Sequence, residues 1–293
     1  MSVILISGCS SGIGEAGALA FARAGNTVYA SMRDIGKGNH LQRIAADESL
    51  DIRVVVLDVT RPATFAPLVD RIVRESGRLD VLVNNAGLLR AGALEDLGER
   101  GLREVMETNF FGGMLLTIAV LPQMRRQNDG CVIMISSLSG IAGLPGDVAY
   151  SASKFAIEGA AEALRHEVDR WNIRIALVEP GLYATRIFAA SLPGSDVLPA
   201  GFPPDSPYRA LVEHKLRELC SRLPNAFDPA AIGELLVTIA KSDGRQLRWP
   251  ADATARRVLA TMLAQDDAAR DAFLRAVSGS DWWSSGGMAP GQA

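Results

Sequence analysis

The chain has 293 residues, of which 48% are hydrophobic and 22% are charged, and its net charge is −3 at pH 7. This balance leaves no electrostatic footprint for nucleic acid or for an anionic membrane surface. Three cysteines in a chain this long argue against a disulfide framework and fit a reducing compartment. The first apolar run, 3–6, is too short for a signal peptide, and the uncharged stretch 108–124 falls short of the ~20 residues of a membrane span. We therefore expect a cytoplasmic protein without a membrane span.

Short β-branched runs alternate with longer amphipathic stretches through the first two thirds of the chain. Strands are predicted at 3–7, 26–31, 53–58, 79–84, 131–136 and 173–178. Helices are predicted at 13–24, 62–76, 101–127 and 149–171. Runs that are apolar nearly throughout are typical of parallel strands buried on both faces. The alternation predicts an α/β fold, a doubly wound parallel sheet with helices on both faces.

The pattern changes after residue 186. Five prolines in 191–207 predict an irregular connection of the kind that forms lids and binding loops. Further elements are predicted as helices at 207–221 and 228–241, a strand at 246–250 and helices at 253–277. We expect a single domain, 1–293, divided into a core at 1–186, a lid and C-terminal helices at 187–277, and a tail at 278–293. The tail is either flexible or docked through Trp282 and Trp283.

A glycine-rich loop joins the first predicted strand to the first helix with the spacing G-x-x-x-G-x-G. Glycine permits a tight turn and a close backbone approach, and the helix N-terminus offers free N–H groups to a pyrophosphate. The alternative is a simple glycine-rich turn. The predicted dinucleotide-binding residues of this loop are Gly8, Ser10, Ser11, Gly12, Ile13 and Gly14.

The end of the second strand bears on the choice of cofactor. An NAD site places a carboxylate there for the ribose, whereas an NADP site places an arginine for the 2′-phosphate. Met32 stands where the acid is expected and Arg33 follows it, which favours NADP(H) over NAD(H). Asp34 keeps NAD(H) open, because a register shift of two would bring a carboxylate to the ribose. Asp58, at the end of the third strand, is either an adenine contact or an ordinary strand-end residue.

A second group of polar residues suits proton transfer to a carbonyl or alcohol oxygen. Tyr150 and Lys154 are spaced i, i+4 and so share one helix face. A free tyrosine, with a pKa of about 10, is a poor base, and we expect the nearby ammonium to lower that pKa. Ser137 follows the fifth strand and Asn109 lies in the preceding helix. All are expected at the C-terminal ends of the strands, where open α/β sheets bind ligands.

With these motifs in order, 3–186 resembles the short-chain dehydrogenase/reductase family, and its loops are similar to the steroid- and retinol-dehydrogenase-like branch. The motifs are the glycine loop, N-N-A-G at 84–87, the helix asparagine, the Ser-Tyr-Lys set and V-E-P-G-x-x-x-T at 178–185. The resemblance implies a Rossmann-like sheet of seven strands and a catalytic tetrad. In that tetrad Tyr150 is the acid/base, Ser137 polarises the carbonyl and Lys154 holds the nicotinamide ribose. Asn109 positions a proton-relay water.

The same resemblance implies further cofactor contacts and a substrate class. The additional contacts are Val59, Asn85, Ala86, Gly87, Pro180, Gly181 and Thr185, the first of these following Asp58. The implied activity is NADP(H)-dependent interconversion of an apolar ketone or aldehyde and its alcohol, as in hydroxysteroid-dehydrogenase-like ketoreductases. The alternatives are an NAD-dependent alcohol dehydrogenase, a nucleotide-sugar epimerase or a non-catalytic dinucleotide sensor. Candidate substrate-wall residues, each of which could instead be core, are Leu144, Pro145, Leu182, Tyr183 and Phe188.

Remaining features concern assembly and side chains without a predicted role. The helices at 101–127 and 149–171 carry apolar residues beyond one stripe, which fits a buried helix or a helix–helix interface between subunits. The family resemblance favours a homodimer or homotetramer. The three histidines have no metal-ligand spacing, so no metal site is predicted. Cys9 is expected to be a small packing residue of the cofactor loop.

Overall fold

A computed structural model gives the fold of residues 1–189, 198–199, 201–244, 246–264, 266–284 and 287–288. Within these residues seven strands form one sheet in the order β3-β2-β1-β4-β5-β6-β7, and every neighbouring pair is parallel. The strands are β1 (Val3–Ile6), β2 (Thr27–Met32), β3 (Ile52–Val56), β4 (Val81–Asn84), β5 (Gly130–Ile135), β6 (Ile173–Glu179) and β7 (Arg248–Pro250). The doubly wound α/β fold predicted from the sequence is confirmed.

Helices cover both faces of this sheet. Those before β6 are α1 (Gly12–Arg23), α2 (Asn39–Asp47), α3 (Phe65–Ser76), α4 (Leu94–Met106), α5 (Gly112–Gln127) and α6 (Val148–Val168). Those after β6 are α7 (Arg186–Ala189), α8 (Arg209–Arg222), α9 (Ala230–Lys241), α10 (Ala253–Ala264), α11 (Asp267–Ser278) and α12 (Asp281–Ser284).

The core lies in two layers because successive side chains of a strand point to opposite faces of the sheet. In β1, Val3 and Leu5 belong to one buried cluster, whereas Ile4 and Ile6 belong to another. The first cluster is completed by α3, α5 and α6, and the second by α1, α2 and α9. All positions of β1, β2 and β5 are buried, which explains their nearly continuous apolar sequences.

The structure differs from the predicted elements at three places. Helix α2 was not predicted, although Leu41, Ile44 and Ala45 have helical spacing, because it is only nine residues long. The predicted helix at 101–127 begins earlier, at residue 94, and is kinked where Gly98 has non-helical dihedral angles. The predicted helical region 253–277 is two helices, because Asp266 caps α11 by accepting from the Ala269 amide at 2.9 Å.

The helical stretch Leu94–Gln127 is 34 residues long and apolar enough to cross a membrane by length and composition alone. This is weak evidence for a span, since a core helix of a soluble protein meets the same criteria. Here the stretch carries Leu116, Val120 and Met124, which are fully buried in the first core cluster. Packing against the sheet therefore accounts for these residues, whereas Phe111 and Ile118 of the same stretch are exposed.

The C-terminal tryptophans pack against α8. The ring of Trp282 lies 5.6 Å from that of His214, and the ring of Trp283 lies 6.5 Å from that of Tyr208. Of the two alternatives for the tail, docking is therefore the one observed at these tryptophans. Residues 285–286 and 289–293 of the tail, and 191–197 and 200 of the predicted irregular connection, lie outside the described residues.

Candidate active site

The turn between β1 and α1 is built for close approach. Gly8 and Gly12 have φ angles of +76° and +62°, which favour glycine. A Cβ on Gly14 would lie 2.4 Å from the Gly8 carbonyl oxygen, and one on Gly12 would lie 3.1 Å from Cγ2 of Thr185. The N-cap residue of α1, Ser11, makes no side-chain cap bond, so the first amides of the helix are available to an anion. The turn therefore fits the pyrophosphate of a dinucleotide.

Hydrogen bonds tie this turn to the loop that follows β4. The buried hydroxyl of Ser7 accepts from the amides of Asn85 and Ala86, both at 3.0 Å. In return the side-chain amide of Asn85 donates to the carbonyl oxygens of Ser7 and Gly8, at 2.8 and 3.1 Å. The predicted contacts Asn85 and Ala86 are therefore brought against the glycine turn.

At the end of β2 the three residues that bear on the cofactor differ in environment. Met32 is only 3% exposed, so it packs into the core. Asp34 is exposed, and its carboxylate accepts from the Gly36 amide at 3.0 Å as the N-cap of a 3₁₀ turn. The Arg33 side chain is exposed at the end of the strand. Arg33 is thus presented at the surface, while the carboxylate of Asp34 is engaged in its own turn.

Asp58 follows β3 and is ionised at neutral pH. Burial alone would raise the pKa of its carboxyl, but bonds from the Thr60 amide and hydroxyl, at 3.0 and 2.8 Å, lower the pKa overall. The positive charges of Arg33 and Arg61 act in the same direction. Asp58 and Arg33 therefore share one polar corner at the outer end of the predicted cofactor groove.

Ser137, Tyr150 and Lys154 come together beyond the end of β5. The ammonium of Lys154 lies 5.5 Å from the centre of the Tyr150 ring and donates to the Ile135 carbonyl oxygen at 2.8 Å. The Ser137 side chain lies close enough to Tyr150 to lower the pKa of its hydroxyl. The Ser137 hydroxyl also accepts from the Ser139 amide at 3.1 Å, which fixes its position. The helix spacing predicted from sequence therefore brings these three residues into one site.

Asn109 lies within a π-helical turn, Glu107–Phe111, between α4 and α5. Its side-chain oxygen accepts from the Leu88 amide at 2.8 Å, and its nitrogen donates to the Leu88 carbonyl oxygen at 2.9 Å. The same nitrogen reaches the Ser153 hydroxyl, at 3.0 Å, on the helix that carries Tyr150. Asn109 therefore links the loop after β4 to α6.

Burial dominates the ionisation of the two catalytic candidates on α6. It raises the pKa of Tyr150 to about 12, with the Ser137 side chain lowering it and the charge of Asp147 raising it. It lowers the pKa of Lys154 to about 8, against the charge of Glu158. These values describe the protein by itself, so the expectation that the Lys154 ammonium and a positively charged oxidised nicotinamide together lower the pKa of Tyr150 stays a prediction. Tyr150 is thus a proton donor at neutral pH.

The segment after β6 closes the other side of the site. The carbonyl oxygen of Pro180 accepts from the Leu138 amide at 3.2 Å, next to Ser137. The amide of Gly181 donates to the Asp252 carboxylate at 2.9 Å, and a Cβ on Gly181 would lie 2.8 Å from that carboxylate. Pro180 and Gly181 are therefore held between the Ser137 turn and the chain that follows β7.

A small cavity lies behind the catalytic residues. Its polar lining comes from Ser7, Asn84, Asn109 and Lys154, and the rest is apolar. The side-chain nitrogen of Asn84 donates to the Thr117 hydroxyl at 2.8 Å, whereas its buried side-chain oxygen has no hydrogen-bond partner. A cavity with several convergent polar groups is the kind of place that holds an ordered water.

The predicted substrate-wall residues fall into three groups. Half-buried side chains are found at Leu144, Pro145 and Leu182. Tyr183 is 3% exposed, packs against the Phe227 ring at 5.5 Å and donates to the Ala251 carbonyl oxygen at 3.2 Å, so its contacts are those of a core residue. Phe188 belongs to α7, and its side chain lies outside the described part of the structure.

The other predicted positions fit the same arrangement. A Cβ on Gly112 would lie 2.7 Å from the Val59 carbonyl oxygen, and one on Gly87 would lie 3.3 Å from Oδ1 of Asn109. Cys9 is fully buried, which raises the pKa of its thiol and fits a packing role. In the part of the chain that the structure describes, no group of three or more His, Cys, Asp or Glu side chains could hold a metal ion.

Sequence reasoning left three residues out of the site. Ser7 and Asn84 stand beside predicted contacts, and their polar side chains at strand ends were the available signal. Asp252, which holds Gly181, lies 71 residues further along the chain. No local pattern in the sequence connects Gly181 with Asp252.

Comparison with known proteins agrees with this geometry. The model of the short chain dehydrogenase family matches residues 2–195. The chain is 42% identical over 187 residues to 3-ketodihydrosphingosine reductase of Bacteroides thetaiotaomicron, covering 62% of this chain and 64% of the reductase. It is 41% identical over 206 residues to retinol dehydrogenase 8 of Bos taurus, covering 66% and 65%. The match therefore spans slightly less than two thirds of either relative.

Solved structures give the same result over nearly the whole length. A short-chain dehydrogenase from Streptomyces avermitilis superposes with a TM-score of 0.76 at 30% identity, and 97% of each chain is covered. Since the family model covers well over half of the residues and the glycine turn and the Ser-Tyr-Lys group are both present, the chain belongs to the short-chain dehydrogenase family.

Proposed function

We propose that this protein is an oxidoreductase that uses NADP(H) to interconvert an apolar ketone or aldehyde and its alcohol. The observation that carries the proposal is the convergence of Ser137, Tyr150 and Lys154 next to a glycine turn that fits a dinucleotide. Membership of the short-chain dehydrogenase family supports the reaction class, because that family uses NAD(P). Mere binding of a nucleotide requires no such Ser-Tyr-Lys arrangement.

In this proposal the chain's own residues handle the proton and hold the reactants. The nicotinamide, when bound, supplies or accepts the hydride. Tyr150 donates its proton to the carbonyl oxygen during reduction and takes it back during oxidation. Ser137 acts on the same hydroxyl and holds the substrate oxygen beside it. Lys154 would hold the nicotinamide ribose and place a positive charge near Tyr150.

The polar cavity supports a route by which Tyr150 regains its proton. The cavity touches Lys154 on one side and Asn109 and Asn84 on the other, and the Asn84 oxygen has a free acceptor position. A water held there would accept and pass on protons at the Lys154 ammonium. We propose this role for the cavity, with Asn109 fixing its wall through the bonds to Leu88 and Ser153.

The preference for NADP(H) rests on the end of β2. Arg33 is exposed there. In contrast, a carboxylate oxygen of Asp34 accepts a hydrogen bond from the Gly36 amide, and Met32 is packed in the core. A guanidinium matches the geometry and charge of a phosphate. The residues proposed to bind the dinucleotide are those predicted from sequence, with Ser7 and Asp252 positioning their loops.

An apolar substrate is proposed from two sources. The half-buried side chains of Leu144 and Pro145, between Ser137 and Tyr150 in the chain, and of Leu182, next to Gly181, offer apolar surface. The two relatives compared are named for ketodihydrosphingosine and retinol, both of which carry long apolar groups. We infer a carbonyl or alcohol on a largely apolar molecule.

Assembly and compartment remain part of the proposal. Phe111 and Ile118 on the helical stretch 94–127, and Phe155 on α6, are 45%, 61% and 44% exposed. Covering such residues with a second copy of the chain would bury their apolar surface, so we propose a homodimer or homotetramer. The cytoplasm fits the three cysteines, which are all free.

The test of the acid/base role is Tyr150→Phe. We expect this variant to bind NADPH as the wild type does but to reduce cyclohexanone, acetophenone and retinal about a thousandfold more slowly or worse, since it has no proton to give. The readouts are nicotinamide fluorescence for binding and absorbance for NADPH oxidation. Tyr29→Phe removes a hydroxyl bonded to Glu75 far from the site and should keep its turnover. Normal turnover in Tyr150→Phe would refute the assignment.

The test of cofactor preference is Arg33→Ala, titrated with NADPH and with NADH. We expect the wild type to bind NADPH more tightly, and the variant to lose about tenfold to a hundredfold in NADPH affinity with little change for NADH. Arg43→Ala, an exposed arginine of α2 bonded to His40, is the matched control. Tighter binding of NADH by the wild type would move the assignment to Asp34 and an NAD-dependent enzyme.

A further inference from the structure

A buried ion pair joins helix α8 to the turn that precedes Tyr150. The Lys215 ammonium is in contact with the Asp147 carboxylate, and the two side chains are only 17% and 10% exposed. Asp147 is the last residue before α6, three positions ahead of Tyr150. Exposed ion pairs are worth little, but a buried pair matters because either partner alone would be an uncompensated charge.

The fold holds this lysine over the turn. The turn contains Gly146, whose φ is +74°, and a Cβ there would lie 3.2 Å from Cδ of Lys215. On the same helix Val212 and Leu216 are fully buried against Ala91 of the loop after β4. The aliphatic stem of Lys215 therefore lies along the turn while its ammonium reaches the carboxylate.

Asp147 depends on this lysine for compensation. One of its carboxylate oxygens is buried without a hydrogen-bond partner. Burial raises the pKa of Asp147, and the charge and hydrogen bond of Lys215 lower it. The charge of Asp147 in turn raises the pKa of Tyr150. Lys215 on α8 thus acts on Asp147, and Asp147 acts on the hydroxyl of Tyr150.

We propose that Lys215 is a positioning residue for the reaction, which neutralises the buried Asp147 carboxylate and thereby controls how readily Tyr150 releases its proton. The inference rests on the acid/base role proposed for Tyr150. The charged groups that the structure places around Tyr150 are Lys154 on its own helix and Asp147 in the turn before it, with Lys215 facing Asp147 from α8. Because α8 belongs to the region predicted to form the lid, the chemistry depends on that helix being in place.

The sign of the effect follows from the charges. Removing the ammonium with Lys215→Met makes the surroundings of Tyr150 more negative, so its pKa rises. Removing the carboxylate with Asp147→Asn does the opposite, and its pKa falls. The double variant removes one charge of each sign, so the pKa of Tyr150 should lie between the values of the two single variants. A purely structural role would lower turnover in both single variants without moving their profiles in opposite directions.

The experiment measures kcat/KM against pH for oxidation by NADP⁺ of the best among cyclohexanol, phenylethanol and retinol. We expect the acidic limb to move upward by about half a pH unit or more in Lys215→Met, and downward by a similar amount in Asp147→Asn. The acidic limb of the double variant should fall between those of the two single variants. Arg222→Met, on the exposed end of the same helix, is the control and should not move the limb.

The outcomes separate this inference from the proposed function. If Tyr150→Phe is inactive but the two single variants keep the wild-type profile, or shift in the same direction, the role of Lys215 is refuted and the acid/base assignment stands. If Tyr150→Phe is fully active, the acid/base assignment itself fails. If Lys215→Met does not fold, Asp147→Asn and the double variant still test the proposal. Only charge compensation predicts that Asp147→Asn moves the acidic limb of the profile downward and that adding Lys215→Met moves it back upward.

Discussion

The turn after β1 and the end of β6 lie at the same edge of the sheet, yet the first is held by close neutral contacts and the second by buried charges. Around Gly14 the backbone itself fills the space, and the Ser7 hydroxyl ties it to the next loop. At the end of β6 the fully buried Glu179 and the nearly buried Glu158 face one arginine, Arg248. The first construction is insensitive to pH, whereas the second depends on it.

Arg248 lies at the centre of the charged cluster at the end of β6. Its guanidinium bonds Glu158 at 2.9 Å and Glu162 at 2.8 Å and lies 3.9 Å from Glu179. Glu158 is one helical turn after Lys154, and Glu179 is two residues before Gly181. The cluster therefore stabilises both the helix that carries Lys154 and the loop expected to face the nicotinamide.

The largest effect on stability is expected for Arg248→Met. The variant leaves two buried carboxyl groups without their cation, which should lower the free energy of unfolding by about 3–5 kcal/mol. Urea denaturation followed by circular dichroism measures this. Arg71→Met breaks an exposed i, i+4 pair with Glu75 and should leave the free energy of unfolding almost unchanged, because solvent screens that pair. Equal losses in the two variants would mean that burial of the Arg248 cluster contributes nothing.

The two constructions also differ in how far the sequence predicts them. The glycine turn depends on residues within one short stretch, so its spacing alone predicts both the geometry and the ligand class. The Tyr150–Lys154 pair is equally local, because helix periodicity places both side chains on one face. For the same reason the alternating strands predicted the doubly wound sheet.

The charged cluster was not predictable in this way. Glu158, Glu179 and Arg248 come from α6, β6 and β7, and only the folded sheet brings them together. The same holds for Lys215 and Asp147, which meet because α8 crosses the catalytic turn. The extent to which burial raises the pKa of Tyr150 was not predictable either, because residue spacing does not report burial.

An effect of intermediate size is expected for Gly14→Ala, in the glycine turn after β1. The added methyl group would lie 2.4 Å from the Gly8 carbonyl oxygen and 2.5 Å from the Asn85 side-chain nitrogen, well inside van der Waals contact, so the turn must open. We expect a loss of about 1–3 kcal/mol in stability, together with loss of NADPH binding, measured by denaturation and by fluorescence titration.

A second glycine serves as the control that separates the effect of close packing from the general effect of replacing glycine by alanine. Gly159 is exposed on α6 with no atom within 4 Å of an added Cβ, so Gly159→Ala should be neutral or stabilising by up to about 1 kcal/mol. If Gly14→Ala were as stable as wild type and still bound NADPH, close packing would not be what holds the turn.

The smallest expected effect is a pH dependence of stability. It should come from the charged cluster at the end of β6 and not from the glycine turn after β1. Burial, with the charge of Glu158, raises the pKa of Glu179 to about 8, although Arg248 opposes this. The folded state then holds a proton that the unfolded state has released, so stability is fully present below the pKa of an unfolded glutamate, about 4.3, and is lost as the pH rises toward 8. Thermal unfolding between pH 7 and 8 should therefore show stability falling by on the order of 1 kcal/mol.

Glu179→Gln removes the titrating group without changing its size, so its stability should be nearly flat over the same pH range. The control is Glu162→Gln, which also bonds Arg248 but is 56% exposed and should keep the wild-type slope. Parallel slopes in wild type and Glu179→Gln would show that Glu179 is ionised throughout this range. In that case the arginine, rather than a retained proton, would be what makes the burial of two carboxyl groups tolerable at the end of β6.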